Sequence, residues 1–435
     1  QNGKKTCIFE EKYFGGVCLN EGCIPTKTLL KTLSVLSKVK EAEKFGILGL
    51  DTSKAVVDMV KLQNRKKSVV NQLTSGVRGL LKGNGVTIYE SSVTFTDTHT
   101  LKAGKETITA KDIIIASGSE VLQLPIEIKG KTNIITSREV LEMTVLPKTI
   151  VIIGGGVIGA EFGFLFAGLG VEVTMIELMD RILPMVDEEV TAEVVKLLES
   201  KGVKLITGAK VQSVNGNEVS YTINDKQGKV YGDTVIMAAG RKPRTEGLNL
   251  QEIGVLMDGK AIKVDEKLRT NFDNIYAIGD VNGKVMLAHT ASAEAMVAVD
   301  VICEKDASMD YKYIPSCIYL QPEIASVGLS ESQAQEKYKN VKVGKFPLTA
   351  NGKALVEGET AGLVKVILDG VYGEILGVHI FGVHATDMIG EIVVAMNLES
   401  TADEIINAIH PHPTVSEAIP EAFAGAYGNA IHWHK

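Results

Sequence analysis

Cysteine is scarce in this chain, with five residues among 435. So small and odd a number excludes the disulfide-stapled scaffold of a small secreted protein. Basic charge is not in excess either: 46 Lys and Arg stand against 53 Asp and Glu, a net charge of −7. The basic residues are scattered, which argues against a nucleic-acid or anionic-membrane surface. A membrane-spanning run is also missing. The longest apolar stretch, Ile150 to Met175, is interrupted by Glu161 and by several glycines, making a poor span and a good nucleotide-binding unit. Neither short repeats nor low-complexity tracts occur, and no signal-peptide pattern opens the sequence, so the cytoplasm is the expected compartment.

What is abundant is glycine, 43 residues in a chain that is 45% hydrophobic, 23% charged and poor in aromatics. That composition favours an α/β protein with tight strand-to-helix turns. The length exceeds what one hydrophobic core usually organises, and two to four domains are expected. A short apolar strand, Thr6 to Phe9, ends in Glu10 and reaches Gly15-Gly16. It reads as the second strand of a dinucleotide unit whose first strand and glycine loop belong just upstream of Gln1. Apolar residues at helical spacing predict two or more helices between Lys27 and about Gly79. Alternation from 86 to 118 predicts β-hairpins ending in the strand "DIIIASGS".

A complete βαβ unit begins at Lys148, "KTIVIIGGGVIGAEFGFLFAGLGVEVTMIE". Gly154, Gly156 and Gly159 follow its first strand and open its helix. The first permits the tight turn, the second lets backbone approach a pyrophosphate, and the third packs helix on strand. Glu177 ends the next strand, where a carboxylate accepts from a ribose 2′-hydroxyl and repels a 2′-phosphate. NAD is therefore favoured over NADP, a preference that Arg181, four residues on, could soften. "GVKLITGAKVQSV", "DTVIMAAGRKP" and "NIYAIGDV" continue as strands. From about Tyr313 longer alternating strands take over, with a turn at Asp369-Gly370.

Two of the five cysteines, Cys18 and Cys23, lie in "GGVCLNEGCIPTK". Zinc sites usually space close cysteines two to four apart and add a second pair, which this chain lacks. Metal ligands, an inert structural pair and a redox dithiol all remain open on spacing alone. A disulfide would need a distorted helix. Residues five apart in a regular helix are separated by about 7.5 Å of rise, whereas a disulfide needs Cα atoms within about 7 Å. Gly22, beside Cys23, could permit the distortion.

"GGVCLNEGCIPTK" resembles the redox-active disulfide signature of the flavoprotein disulfide reductases. The resemblance extends in order over essentially the whole chain. "GGGVIGAEFGFLFAGLGVEVTMIE" is similar to the family's NAD unit, "IYAIGDV" to its second flavin motif, "MLAHTASAEA" to the segment after it, and "HPHPTVSEA" to its C-terminal His-Pro-Thr-x-x-Glu motif. The resemblance implies an α/β fold of two Rossmann-like dinucleotide-binding domains, the first lacking its N-terminal strand and glycine loop, followed by a C-terminal α+β dimerisation domain. The expected divisions are 1–147 for FAD, 148–269 for NAD, 270–312 completing the FAD site and 313–435 for the interface.

It also implies roles. Cys23 is the thiol facing the flavin and Cys18 the interchange thiol that meets the substrate. Lys27 sits near the flavin and pairs with Glu161. Asp280 accepts from the flavin ribityl chain, and Ala288 lines the ring through its backbone. Glu10, Gly16 and Gly118 lie by FAD and Gly240 by NAD. His412 and Glu417 form a catalytic dyad acting across a homodimer; a cis bond before Pro413 is conceivable. Histidine as a residue type titrates in the neutral range, which suits a base for thiols. His412, not His410, is chosen because it directly precedes Pro413-Thr414. Within the family the resemblance is closest to the members that oxidise dihydrolipoamide on a lipoyl-domain partner. Glutathione reductase prefers NADPH and needs basic residues where this chain has Glu177-Leu178-Met179. Mercuric reductase carries a C-terminal cysteine pair, and here the last cysteine is Cys317. A reading of another class, a flavin-free dimer that binds NAD through Gly154–Glu177, differs in flavin content.

Overall fold

The computed structural model describes residues 2–433 of the chain. The strand Cys7–Phe9 pairs in parallel with Thr87–Tyr89. Between them lie three helices, α1 (Gly16–Asn20), α2 (Cys23–Lys40) and α3 (Met59–Gly83). Asp58 starts α3 by accepting from the Lys61 N–H at 3.0 Å, a side-chain cap that satisfies one of the helix's free donors. The apolar positions Leu29, Leu30 and Leu33 of α2 are buried, as helical spacing requires. The predicted hairpins are present as Thr94–Phe95, Thr100–Ala103 and Glu106–Thr109.

The βαβ unit forms the centre of a parallel five-stranded sheet. Its spatial order is Lys204–Ile206, Glu172–Ile176, Thr149–Ile153, Thr234–Met237 and Ile134–Thr136. Ile150 to Ile153 are all buried, as expected of a parallel strand covered on both faces. The outer strand, Ile134–Thr136, comes from ahead of the unit in sequence. Helix α4 (Val157–Gly168) follows the glycine loop, and α5 (Glu188–Ser200) lies beyond Glu177.

A second parallel pair joins Ile113–Ile115 to Ile275–Ala277, which carries the 275–282 segment back beside Gly118. Helix α6 (Ala288–Ile302) leaves from there. The C-terminal region is an antiparallel five-stranded sheet in the order Ser316–Ile318, Glu323–Gly328, Ile375–Gly382, Leu363–Asp369 and Val341–Pro347. Helix α7 (Ala385–Asn397) packs on it, and Asp369 closes the predicted turn by accepting from Val371 and Tyr372 N–H groups.

One apolar core runs through all three regions. Leu33 of α2, Phe162 and Phe166 of α4, and Ile318 and Phe381 of the C-terminal sheet belong to it. A buried polar tie adds orientation. Lys365, 3% exposed, donates to Asp187 at 2.9 and 3.1 Å and pairs with Glu331 at 2.7 Å and Glu189 at 3.2 Å. Burial works against these charges. Their mutual hydrogen bonds outweigh it, so Asp187 is held below the usual carboxylate range and Lys365 above the usual lysine range. The start of α5 is thereby fixed to the C-terminal sheet.

Candidate active site

Cys18 and Cys23 are disulfide-bonded, with Cα atoms 4.7 Å apart. The helix is indeed broken to allow it. Cys18 lies in α1, which stops at Asn20, and Cys23 is the first residue of α2. Gly22 takes φ −142°, ψ −106°, far from helical values. One turn after Cys23, on the same face of α2, Lys27 Nζ reaches Glu161 Oε1 at 2.8 Å and Oε2 at 2.9 Å. Glu161 is 4% exposed and also accepts from the Tyr319 N–H at 3.1 Å, while the Lys27 ammonium lies 4.7 Å from the centre of the Tyr319 ring. The charge pair is thus satisfied on both sides.

Cys18, Cys23, Lys27 and Glu161 line a cavity of about 1610 Å³. Single-ligand pockets usually measure roughly 300–1,000 Å³; this one has room for two dinucleotides. Gly118, Asp280 and Ala288 line the same cavity, as do Gly154, Gly156, Glu177 and Gly240. The site residues expected for flavin and for nicotinamide therefore converge on one space. Glu10, Gly16 and Gly159 do not line it. The Glu10 carboxylate braces the turn after the first strand, accepting from Lys12 N–H at 2.9 Å and Tyr13 N–H at 3.3 Å, and Gly15 rather than Gly16 faces the cavity.

The glycine loop fits the pyrophosphate role. Gly154 has φ +113°, and a Cβ there would meet the Ala238 carbonyl oxygen at 2.5 Å. At Gly159 a Cβ would lie 1.9 Å from the Gly154 oxygen, so helix and strand can approach only with glycine there. At Gly156 it would project into open space, the cradle a phosphate needs. Gly159→Ala is accordingly expected to weaken NAD binding at least about tenfold, the backbone shift displacing the loop. Titration of NAD⁺ against flavin fluorescence tests this, and unchanged affinity would refute it.

Glu177 is 9% exposed; its Oε2 accepts from Gly155 N–H at 2.5 Å and its Oε1 from Met179 N–H at 2.8 Å. Arg181 is turned onto backbone, donating to the Pro184 and Val186 carbonyls at 2.8 Å each. It is committed there and not poised for a 2′-phosphate. Glu177→Ala should weaken NAD by about tenfold and narrow the gap to NADP, since one hydrogen bond to a charged group and one repulsion are removed together. The ratio of kcat/KM for the two nucleotides reads this directly.

Two supports and one further cysteine are invisible in the linear motifs. Ser119 Oγ donates to Asp280 Oδ2 and receives Arg241 Nε at 2.8 Å, while Arg241 Nη2 donates to the Ser119 carbonyl at 2.8 Å. Arg241 follows Gly240 directly, but its partners lie more than a hundred residues away. Glu294, fully buried, accepts from Gly279 N–H, from Asn282 Nδ2 at 3.0 Å and from Tyr311 OH at 2.7 Å, shaping the turn that presents Asp280. Cys317 is a third thiol on the cavity wall; burial pushes it up to about 11, so it stays protonated at neutral pH and does not compete as a nucleophile.

His412 and Glu417 stand apart from the cavity wall. His412 Nδ1 is 3.0 Å from Glu417 Oε1, and Glu417 Oε2 accepts from Thr414 N–H at 2.9 Å. The peptide before Pro413 is cis, as is that before Pro322. Burial raises the Glu417 carboxyl, but the Thr414 N–H and His412 outweigh it and hold it below the usual carboxylate range. The His412 side chain is 79% exposed. Among the described residues no cluster of ligands able to hold a metal ion occurs, and no helix is long and apolar enough to cross a membrane.

A disulfide lining a cavity that also carries a dinucleotide-binding glycine loop fits a nucleotide-dependent disulfide oxidoreductase. Comparison with known proteins agrees: residues 1–295 match the pyridine nucleotide-disulphide oxidoreductase family and residues 314–423 its dimerisation domain, and the chain belongs to that family. FAD and a nicotinamide nucleotide are its cofactors, and the dimerisation domain makes it a homodimer. It is 40% identical to a dihydrolipoyl dehydrogenase of Bacillus subtilis over 454 residues, covering 100% of this chain and 95% of that one. A dihydrolipoyl dehydrogenase of Corynebacterium glutamicum is 39% identical over 451 residues, with 100% and 95% covered. Among solved structures, the HOCl-induced flavoprotein disulfide reductase RclA from Escherichia coli superposes with a TM-score of 0.87 at 27% identity, covering 97% of this chain and 94% of that one. LpdA from Mycobacterium tuberculosis, at 24% identity, TM-score 0.88 and 97% and 93% coverage, shares the fold.

Proposed function

We propose that the chain is a dihydrolipoamide dehydrogenase, catalysing dihydrolipoamide + NAD⁺ → lipoamide + NADH + H⁺. The observation that carries the reading is the Cys18–Cys23 disulfide set across a helix break in a cavity also lined by Gly154 and Gly156 of the NAD loop and by Gly118, Asp280 and Ala288. Full-length identity of 39–40% to dihydrolipoyl dehydrogenases supports the substrate.

His412, its other ring nitrogen held by Glu417, takes the proton of a substrate thiol. The substrate sulfur attacks Cys18, the Cys18–Cys23 bond breaks, and Cys23 leaves as a thiolate. The second substrate sulfur, giving its proton to His412 as His412 passes the first to Cys18, then displaces Cys18 from the mixed disulfide, releasing lipoamide and leaving Cys18 as a thiol beside the Cys23 thiolate. Lys27, Gly118, Asp280 and Ala288 would hold FAD, which when bound would supply the two-electron path from sulfur to nicotinamide. Lys27 keeps a cation, neutralised by Glu161, near that path. Glu177 orients the adenosine ribose of NAD, and Gly154, Gly156 and Gly159 admit its pyrophosphate.

In this reading residues 1–147 and 270–312 form the flavin unit, 148–269 the NAD unit with Ile134–Thr136 lent to its sheet, and 313–435 the interface. The dyad works on the disulfide of the other protomer, which accords with its exposure and its distance from the cavity wall. The substrate arm belongs to the lipoyl domain of a 2-oxo acid dehydrogenase or glycine-cleavage complex. A reducing cytoplasm suits a disulfide that must open at every turnover. The test is a paired assay of the flavin-loaded dimer: NAD⁺ reduction by dihydrolipoamide, and oxidation of NADPH by glutathione disulfide. The first reaction is expected to dominate; dominance of the second would overturn the substrate assignment.

A further inference from the structure

His412 is exposed and makes one side-chain hydrogen bond, yet a base must be held still to meet a thiol. What holds it is next in the chain. His410, whose side chain is 9% exposed, places Nε2 2.8 Å from Glu391 Oε1 on α7 and Nδ1 3.1 Å from the Ala408 carbonyl oxygen. Both ring nitrogens thus lie within hydrogen-bond distance of an acceptor, one on the local backbone and one on a separate helix. Pro411 and Pro413 lock φ on either side of His412, leaving few free dihedrals between the anchored ring and the dyad. On the far side, Thr414 Oγ1 donates to the Pro411 carbonyl at 2.8 Å, and buried Asn351 donates to the Thr414 carbonyl at 3.1 Å.

Resting on the reading above, we propose that His410, strutted against Glu391, is a positioning residue that holds the His410–Pro413 segment so that His412 faces its substrate in one orientation. The strut ties the segment to the middle of a packed helix, whereas the Glu417 contact is local and moves with it.

Side-chain amides separate the two hydrogen bonds. Asparagine at 410 can still donate to Ala408 but is too short for Glu391; glutamine reaches Glu391 and gives up Ala408. In the flavin-loaded dimer, His410→Asn and Glu391→Ala are each expected to lower kcat for dihydrolipoamide oxidation by about tenfold, part of the 10²- to 10⁴-fold a general base typically contributes. The KM for NAD⁺ and NADH-to-ferricyanide turnover should not move. His410→Gln should stay within about twofold of the unchanged protein, and the His410→Asn/Glu391→Ala pair should be no worse than either single change, as for two ends of one strut. A wild-type rate in His410→Asn, or His410→Gln falling as far as His410→Asn, would overturn the proposal.

Histidine ring resonances give a second reading without substrate. The His412 signal is expected to keep its hydrogen-bonded position in His410→Gln and to become averaged in His410→Asn. If the unchanged dimer fails to oxidise dihydrolipoamide, the substrate reading falls, and these resonances still decide the role of His410.

Discussion

Cys23→Ser is expected to abolish dihydrolipoamide turnover, lowering it by more than about a thousandfold, while electron passage from NADH to an artificial dye persists. The reaction carries its electron pair through a sulfur–sulfur bond, and a serine hydroxyl forms no such bond with Cys18. The NAD loop at Gly154–Gly159 and the flavin wall at Gly118 and Asp280 do not depend on the thiol, so the half-reaction between nicotinamide and flavin remains. Serine also keeps the start of α2, since the helix there is begun by Gly22 and lacks a side-chain cap. Side-by-side assays with dihydrolipoamide and with dye read the split. Loss of both activities at equal flavin content would contradict the role of Cys23.

The second large effect is at the dyad. His412→Gln should slow dithiol oxidation by about 10²- to 10⁴-fold, the usual contribution of a general base, with NAD affinity unchanged. Glu417 sharpens the expectation. Its carboxyl is held below its ordinary value by Thr414 and His412 against the opposing effect of burial. A carboxyl lowered on folding keeps its contribution above the unfolded value and loses it as pH falls through the folded one. The Glu417–His412 bond therefore persists through neutral and mildly acidic pH. An unchanged rate of dithiol oxidation in His412→Gln would refute the role of the dyad.

Much of the site was legible because its parts are local in sequence. Gly154, Gly156, Gly159 and Glu177 sit within one βαβ unit, and each answers to a constraint that a few residues set. The five-residue spacing of Cys18 and Cys23 conflicts with a regular helix, and Gly22, the residue able to permit a distortion, is where the structure starts the second helix. His412 and Glu417 share one segment. What the sequence concealed is long-range pairing. Arg241, Ser119 and Asp280 meet from three stretches of chain, Glu294 reaches back to Gly279 from α6, and Lys365 meets Asp187 across two sheets. Ile134–Thr136 joined the nicotinamide sheet rather than the strands just ahead of it. A short apolar run carries no record of which edge it will extend. The same holds for His410, whose significance depends on Glu391, nineteen residues earlier and on another element.

The most direct test of the central claim is the visible absorbance spectrum of the purified protein after incubation with FAD and removal of the excess. A bound-flavin spectrum, gaining a long-wavelength band when dithiol is added because a thiolate now lies beside the flavin, is the expected result. A colourless protein that takes up no FAD, or a flavin whose spectrum ignores the dithiol, would contradict it.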